Sequence, residues 1–147
     1  MKRAASLTLF LFILSALCGV LLSCASWVGK VGMSLFYQEY DFLKIWWKGA
    51  ALVFFLLMSL YGLQSWIHKI TTKKISTAVH IFALMAALGG LYFSYSDFRE
   101  DLSHRLLGER FHIGVYLFWL GWMVVSIYLL LTRKNEEAEK NHVGMDM

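Results

Sequence analysis

Residues Phe111 to Thr132 read FHIGVYLFWLGWMVVSIYLLLT and run directly into Arg133-Lys134. No charged residue stands between His112 and Arg133, and the run carries two tryptophans and two tyrosines. About 20 apolar residues, each rising about 1.5 Å in a helix, cover a hydrocarbon core of about 30 Å. The stretch is therefore read as a membrane span. Three upstream runs of the same kind, at 7–27, 49–67 and 75–96, join it at 112–132 to give four. The expected fold is an all-α membrane protein, a four-transmembrane-helix antiparallel bundle with both termini cytoplasmic.

Hydrophobic residues make up 59% of the 147 and charged residues 16%, against about a quarter charged in ordinary soluble domains. After four spans, too few residues remain for a separate soluble domain. Residues 1–134 are read as one membrane domain and 135–147 as a polar, mobile cytoplasmic tail. The formal charge is +4, yet no basic stripe accompanies a soluble fold, which excludes a nucleic-acid partner. The basic residues flank apolar runs, where they anchor helix ends in the lipid bilayer. There is no proline, which argues against the broken helices that many transporters use at their binding sites. Cys18 and Cys24 lie six apart on one helix and do not share a face, so no disulfide is expected between them. Both read as packing or lipid-facing thiols, with palmitoylation of Cys24 the alternative.

Lys2-Arg3 ahead of an apolar run resembles a secretory leader, and Leu21-Leu22-Ser23-Cys24 a lipoprotein cleavage box. The run is longer than the 7–15 residues of a leader's apolar region, so an uncleaved first helix is expected. The first loop, 28–48, is aromatic, and Phe36-Tyr37 and Trp46-Trp47 read as interfacial anchors; the loop reads as a short amphipathic segment lying on the membrane or, alternatively, as a binding surface. The second loop, 68–74, is purely basic and short enough to force a helical hairpin. The amino end, second loop and tail hold eight Lys and Arg against six in the first and third loops. The unmixed positive charge of loop two and the flanking Lys2-Arg3 and Arg133-Lys134 place both ends and that loop in the cytoplasm.

The spans hold no Asp, Glu, Lys or Arg, which disfavours carboxylate-driven exchange. Histidines and cysteines are scattered across both membrane sides, against the three or four convergent ligands that zinc requires. His68 and His80 flank the same loop at similar depth, and such an imidazole pair can ligate a haem. The alternative is one interfacial histidine and one bonded to a neighbouring helix. His104, His112 and His142 read as solvated. Ala78, Ala83, Ala86, Ala87, Gly89 and Gly90 in the third span, and Gly114, Gly121 and Ser126 in the fourth, let helices approach closely. They read as a seam within the bundle or, alternatively, a partner's footprint. Trp119 and Trp122, mid-span, are expected to fill the gap that small residues leave.

Spans three and four are similar to those of the claudin superfamily, in its peripheral myelin protein and epithelial membrane protein branch. The resemblance covers Phe82–Lys134. It rests on Ala86-Ala87-Leu88-Gly89-Gly90-Leu91-Tyr92, on the aromatic, glycine-spaced run Phe111–Trp122, and on Ile127–Thr132 leading into Arg133-Lys134. Trp27 stands where the family's first-loop tryptophan would, but the Gly-Leu-Trp and the two loop cysteines are missing. The resemblance implies a four-helix bundle and a plasma-membrane location, with the endoplasmic reticulum equally suited to the sequence. The expected function is non-enzymatic: an accessory or assembly subunit that binds another integral membrane protein or channel complex. The partner interface is expected at Trp46, Trp47, Ala83, Ala87, Gly90, Gly114 and Gly121, with no cofactor, metal or catalytic residue. The alternatives are a small transporter or pore lined by Ser59, Gln64, Ser94 and Ser96, and a haem or quinone redox protein using His68 and His80.

Overall fold

In a computed structural model, residues 2–24, 45–100 and 109–145 are described, with side chains for 4–24, 45–99 and 109–132. They form four α-helices: α1 (Lys2–Ser23), α2 (Trp46–Ile70), α3 (Lys73–Glu100) and α4 (Glu109–Met145). Each contains a stretch long and apolar enough to cross a membrane, namely Ala4–Ser23, Trp46–Ile70, Lys73–Arg99 and Glu109–Thr132. That is the make-up of a multi-pass membrane protein. The proposed anchors Phe36 and Tyr37, the segment around them, and the charges at 101–108 lie outside the described residues.

Helix ends differ from the apolar limits read in the sequence. α1 stops at Ser23, where the Cys24 amide bonds the carbonyls of Val20 and Leu21 and the Ser23 hydroxyl donates to Val20 O at 2.7 Å. α2 and α3 run past their apolar limits, so the seven-residue loop shrinks to Thr71 and Thr72. Thr71 is extended (φ −114°, ψ 152°), while the Ser76 amide returns to Thr72 O at 2.9 Å to open α3. Apolarity marks depth in a bilayer; hydrogen bonding of the backbone decides where a helix ends, and lysine at a helix end does not interrupt it. α4 likewise runs past its apolar limit at Thr132 and continues to Met145. Residues Glu136 to Lys140 are mostly strong helix formers.

α4 contacts all three other helices, α1 packs on both α2 and α4, and α3 rests mainly on α4. α1 buries Leu7, Leu11, Leu14, Cys18 and Leu22, at steps of three and four. α4 answers with Phe111, Val125 and Leu129, and α2 with Val53 and Leu57. Leu22 faces Gly114 and Leu14 faces Gly121, so α1 and α4 are antiparallel. Leu57 also meets Gly121 and Gln64 meets Ser126, so α2 and α4 run parallel. The alternating step of three and four is the spacing of left-handed helix packing.

Two close approaches set this arrangement. A Cβ at Gly19 would collide with the backbone at Trp46 and stand 2.6 Å from the Ala50 Cβ. A Cβ at Gly90 would stand 2.6 Å from Cζ2 of Trp119. Neither helix pair could come so near with a larger residue there.

Candidate functional site

Among the described residues, the polar side chains that the structure buries are Ser15, Gln64, Ser76, His80 and Ser126. Helical spacing groups four of the chain's polar side chains here. Gln64 and His68 are one turn apart on α2, and Ser76 and His80 one turn apart on α3, so each pair shares a face. The Thr71-Thr72 turn closes the two helices beneath them. Ser126, on α4, donates to Gln64 Oε1 at 3.1 Å in the buried interior. The result is a polar cluster inside the apolar spans, at the turn end of α2 and α3.

His80 is 1% exposed and its Nδ1 bonds the Ser76 carbonyl. A carbonyl only accepts, so Nδ1 donates its proton to it, which leaves Nε2 as the ring's other nitrogen. That Nε2 is buried without a hydrogen-bond partner, as are the Ser76 hydroxyl and the Gln64 amide nitrogen. The His68 ring lies 5.9 Å from the His80 ring, centroid to centroid, with the planes at 80°. The structure thus brings the rings of the two histidines that flank the turn together. The Gln64–Ser126 pair was not foreseen, because a single glutamine in an apolar run carries no mark of the helix it will face.

A second feature joins α3 to α4. Trp119 lies over Gly90, donates from Nε1 to Ser94 Oγ at 3.0 Å, and stacks on Trp122 with centroids 5.6 Å apart. At the other end of this seam His112 stacks on Phe98 at 4.2 Å, where a solvated histidine was expected. The tryptophans thus fill the space left by a small residue, as their mid-span position suggests.

The residues expected at a partner interface separate into two groups. Trp46 and Trp47 open α2 and are 54% and 56% exposed, with the Lys48 ammonium 5.7 Å from the centre of the Trp47 ring. Ala83 is half-buried. Ala87 is buried, and Gly90, Gly114 and Gly121 face Trp119, Leu22, and Leu14 with Leu57 respectively. These last four meet the chain's own helices. The residues considered for a transport path do not come together: Ser59 is exposed, Gln64 is held by Ser126 and Ser94 by Trp119. Cys18 is buried and Cys24 half-buried, both as free thiols. Among the described residues, no three His, Cys, Asp or Glu side chains converge on a metal position.

The outer face of α3 is uncovered. Phe82 and Phe93 are 75% and 71% exposed, with Met85 and Tyr92 beside them. A methyl group added at Gly89, in their midst, would meet nothing within 4 Å. Next to this face, Leu88, Leu91, Tyr92, Tyr95, Tyr116 and Leu120 line an open groove of about 550 Å³ between α3 and α4. Compared with known protein families, characterised proteins and solved structures, the chain matches none.

Proposed function

We propose that the chain is a non-enzymatic accessory or assembly subunit that docks an apolar helix of another integral membrane protein on the outer face of α3. The observation that carries this reading is the open position at Gly89 among Phe82, Met85 and Phe93. Between helices in lipid, association is driven by close packing and hydrogen bonds, because lipid chains are as apolar as the side chains. A glycine framed by large rings offers a partner helix a hollow, and α3, resting mainly on α4, leaves that side uncovered. Trp46 and Trp47 add an exposed aromatic contact at the far end of the spans. In this reading both termini and the Thr71-Thr72 turn are cytoplasmic, the protein sits in the plasma membrane, and the chain is a divergent relative of the claudin superfamily.

The test is isolation of the tagged chain from its native membrane in gentle detergent. A stoichiometric membrane partner is expected, lost in Gly89→Leu and kept in Gly62→Leu, since Gly62 on α2 is equally open. Both variants should fold, because nothing inside the protein fills either position. A lone monomer, or a partner indifferent to Gly89→Leu, would overturn the proposal.

A further inference from the structure

The groove between α3 and α4 is apolar along its length and cationic at one end. Leu88, Leu91, Tyr92 and Tyr95 form its α3 wall, and Tyr116 and Leu120 its α4 wall. The α3 residues follow one another at steps of one, three and four, which keeps them on one stripe of the helix. Phe98 backs Tyr116 with ring centroids 6.0 Å apart, so packed rings support this end of the groove. One turn beyond Tyr95 on the same stripe stands Arg99, which is exposed. Its Nη1 donates to the Tyr95 hydroxyl at 3.1 Å, which holds the guanidinium over the end of the groove. We propose that the groove binds one phospholipid, with an acyl chain along Leu88, Leu91 and Leu120 and the phosphate on Arg99 and Tyr95.

Charge and length both select this ligand. A guanidinium has five N–H donors in a fixed fork that matches a phosphate bidentately. One bond to Tyr95 leaves that fork able to meet an anion, and Tyr95, which accepts from Arg99, keeps its own proton to donate. Asp97 is two residues from Arg99 and so turns to the other side of α3, where it is half-buried. Glu109 and Arg110, which open α4, offset one another. Arg99 is also the last residue of the apolar span Lys73–Arg99, and Leu88 lies near that span's middle. The rise from Leu88 to Arg99 is about 16 Å, close to half of a hydrocarbon core of about 30 Å. The groove and its cation thus match one leaflet: chain toward the midplane, phosphate at the surface. A sterol brings one hydroxyl and no charge to Arg99. An apolar peptide helix brings no anion either, since its backbone groups bond one another.

The proposal does not rest on the docking reading, because it is read on the purified chain with no partner present. The full chain, stripped of lipid in mild detergent, is titrated separately with dioleoyl phosphatidylglycerol, dioleoylglycerol and cholesterol, and bound lipid is counted by native mass spectrometry. One phosphatidylglycerol per chain is expected, bound about tenfold more tightly than the phosphate-free dioleoylglycerol, as loss of a charge-assisted contact implies. Arg99→Gln should remove that advantage and leave dioleoylglycerol unaffected. Leu88→Trp, at a residue 44% exposed, fills the groove and should weaken both lipids. Lys48→Gln removes an exposed cation at the same end of the bundle but away from the groove, and should change neither. Circular dichroism confirms that each variant is folded. Equal binding of the two dioleoyl lipids, or a folded Arg99→Gln that keeps the preference, would overturn the proposal. So would a loss in Lys48→Gln as large as in Arg99→Gln, or cholesterol bound more tightly than phosphatidylglycerol.

Discussion

Gly89 and Gly90 are neighbours of the same type on the same helix, yet the structure gives them opposite surroundings. A methyl group at Gly90 meets the Trp119 ring, while one at Gly89 meets open space. The Trp119 ring cannot retreat without losing its bond to Ser94 and its stack on Trp122. Gly90→Ala is therefore expected to destabilise the protein by about 1–3 kcal/mol, the usual range for overpacking. Gly89→Ala should leave stability unchanged or raise it by up to about 1 kcal/mol through helix propensity. Thermal unfolding of both variants in one detergent checks the contrast. Equal effects would mean that Trp119 does not rest on Gly90.

At the scale of elements, α4 holds the molecule together through two kinds of contact. Toward α1 it offers glycines, with Gly114 against Leu22 and Gly121 against Leu14. Toward α2 it adds the buried Ser126–Gln64 hydrogen bond. Such bonds between helices in membranes couple by about 0.6 kcal/mol on average, up to about 1.7 kcal/mol. Ser126→Ala leaves the Gln64 carbonyl oxygen without its donor and should cost about 1 kcal/mol. In a Gln64→Leu background the same change should cost close to nothing, since no polar group is left behind. A double-mutant cycle measured by unfolding in detergent gives the coupling directly. A coupling of zero would separate α2 from α4 at this level. The helices themselves were legible in the sequence, but Gln64 reads equally well as a path-lining residue until the partner on α4 is seen.

For the whole molecule, the decisive property is orientation. Eight Lys and Arg on one side against six on the other is a narrow excess, and the purely basic turn between α2 and α3 tips it. In a Cys18→Ala, Cys24→Ala background, Lys74→Cys should resist a membrane-impermeant maleimide in intact cells. Arg105→Cys should react. The reverse pattern would invert the topology and move the histidine cluster to the outer side, without altering its geometry. Helix count and the approximate positions of the apolar helices came from the sequence, as did the placing of His68 and His80 on either side of one short turn. The joining of Ser126 to Gln64 and the approach of α2 at Gly19 did not.

Sequence alone determined that four runs are long and apolar enough to cross a membrane, and where their charged limits lie. Those are local properties: a run free of charge is long enough to cross lipid or it is not, and its backbone satisfies its own hydrogen bonds. Only the tertiary structure decided which faces meet. A helix that is apolar all round carries no stripe to identify its inner side, and in lipid there is no water to sort one face from another. That choice falls to shape and to single hydrogen bonds: Gly90 beneath Trp119, Gln64 on Ser126, and His80 turned toward His68 while Gly89 faces outward.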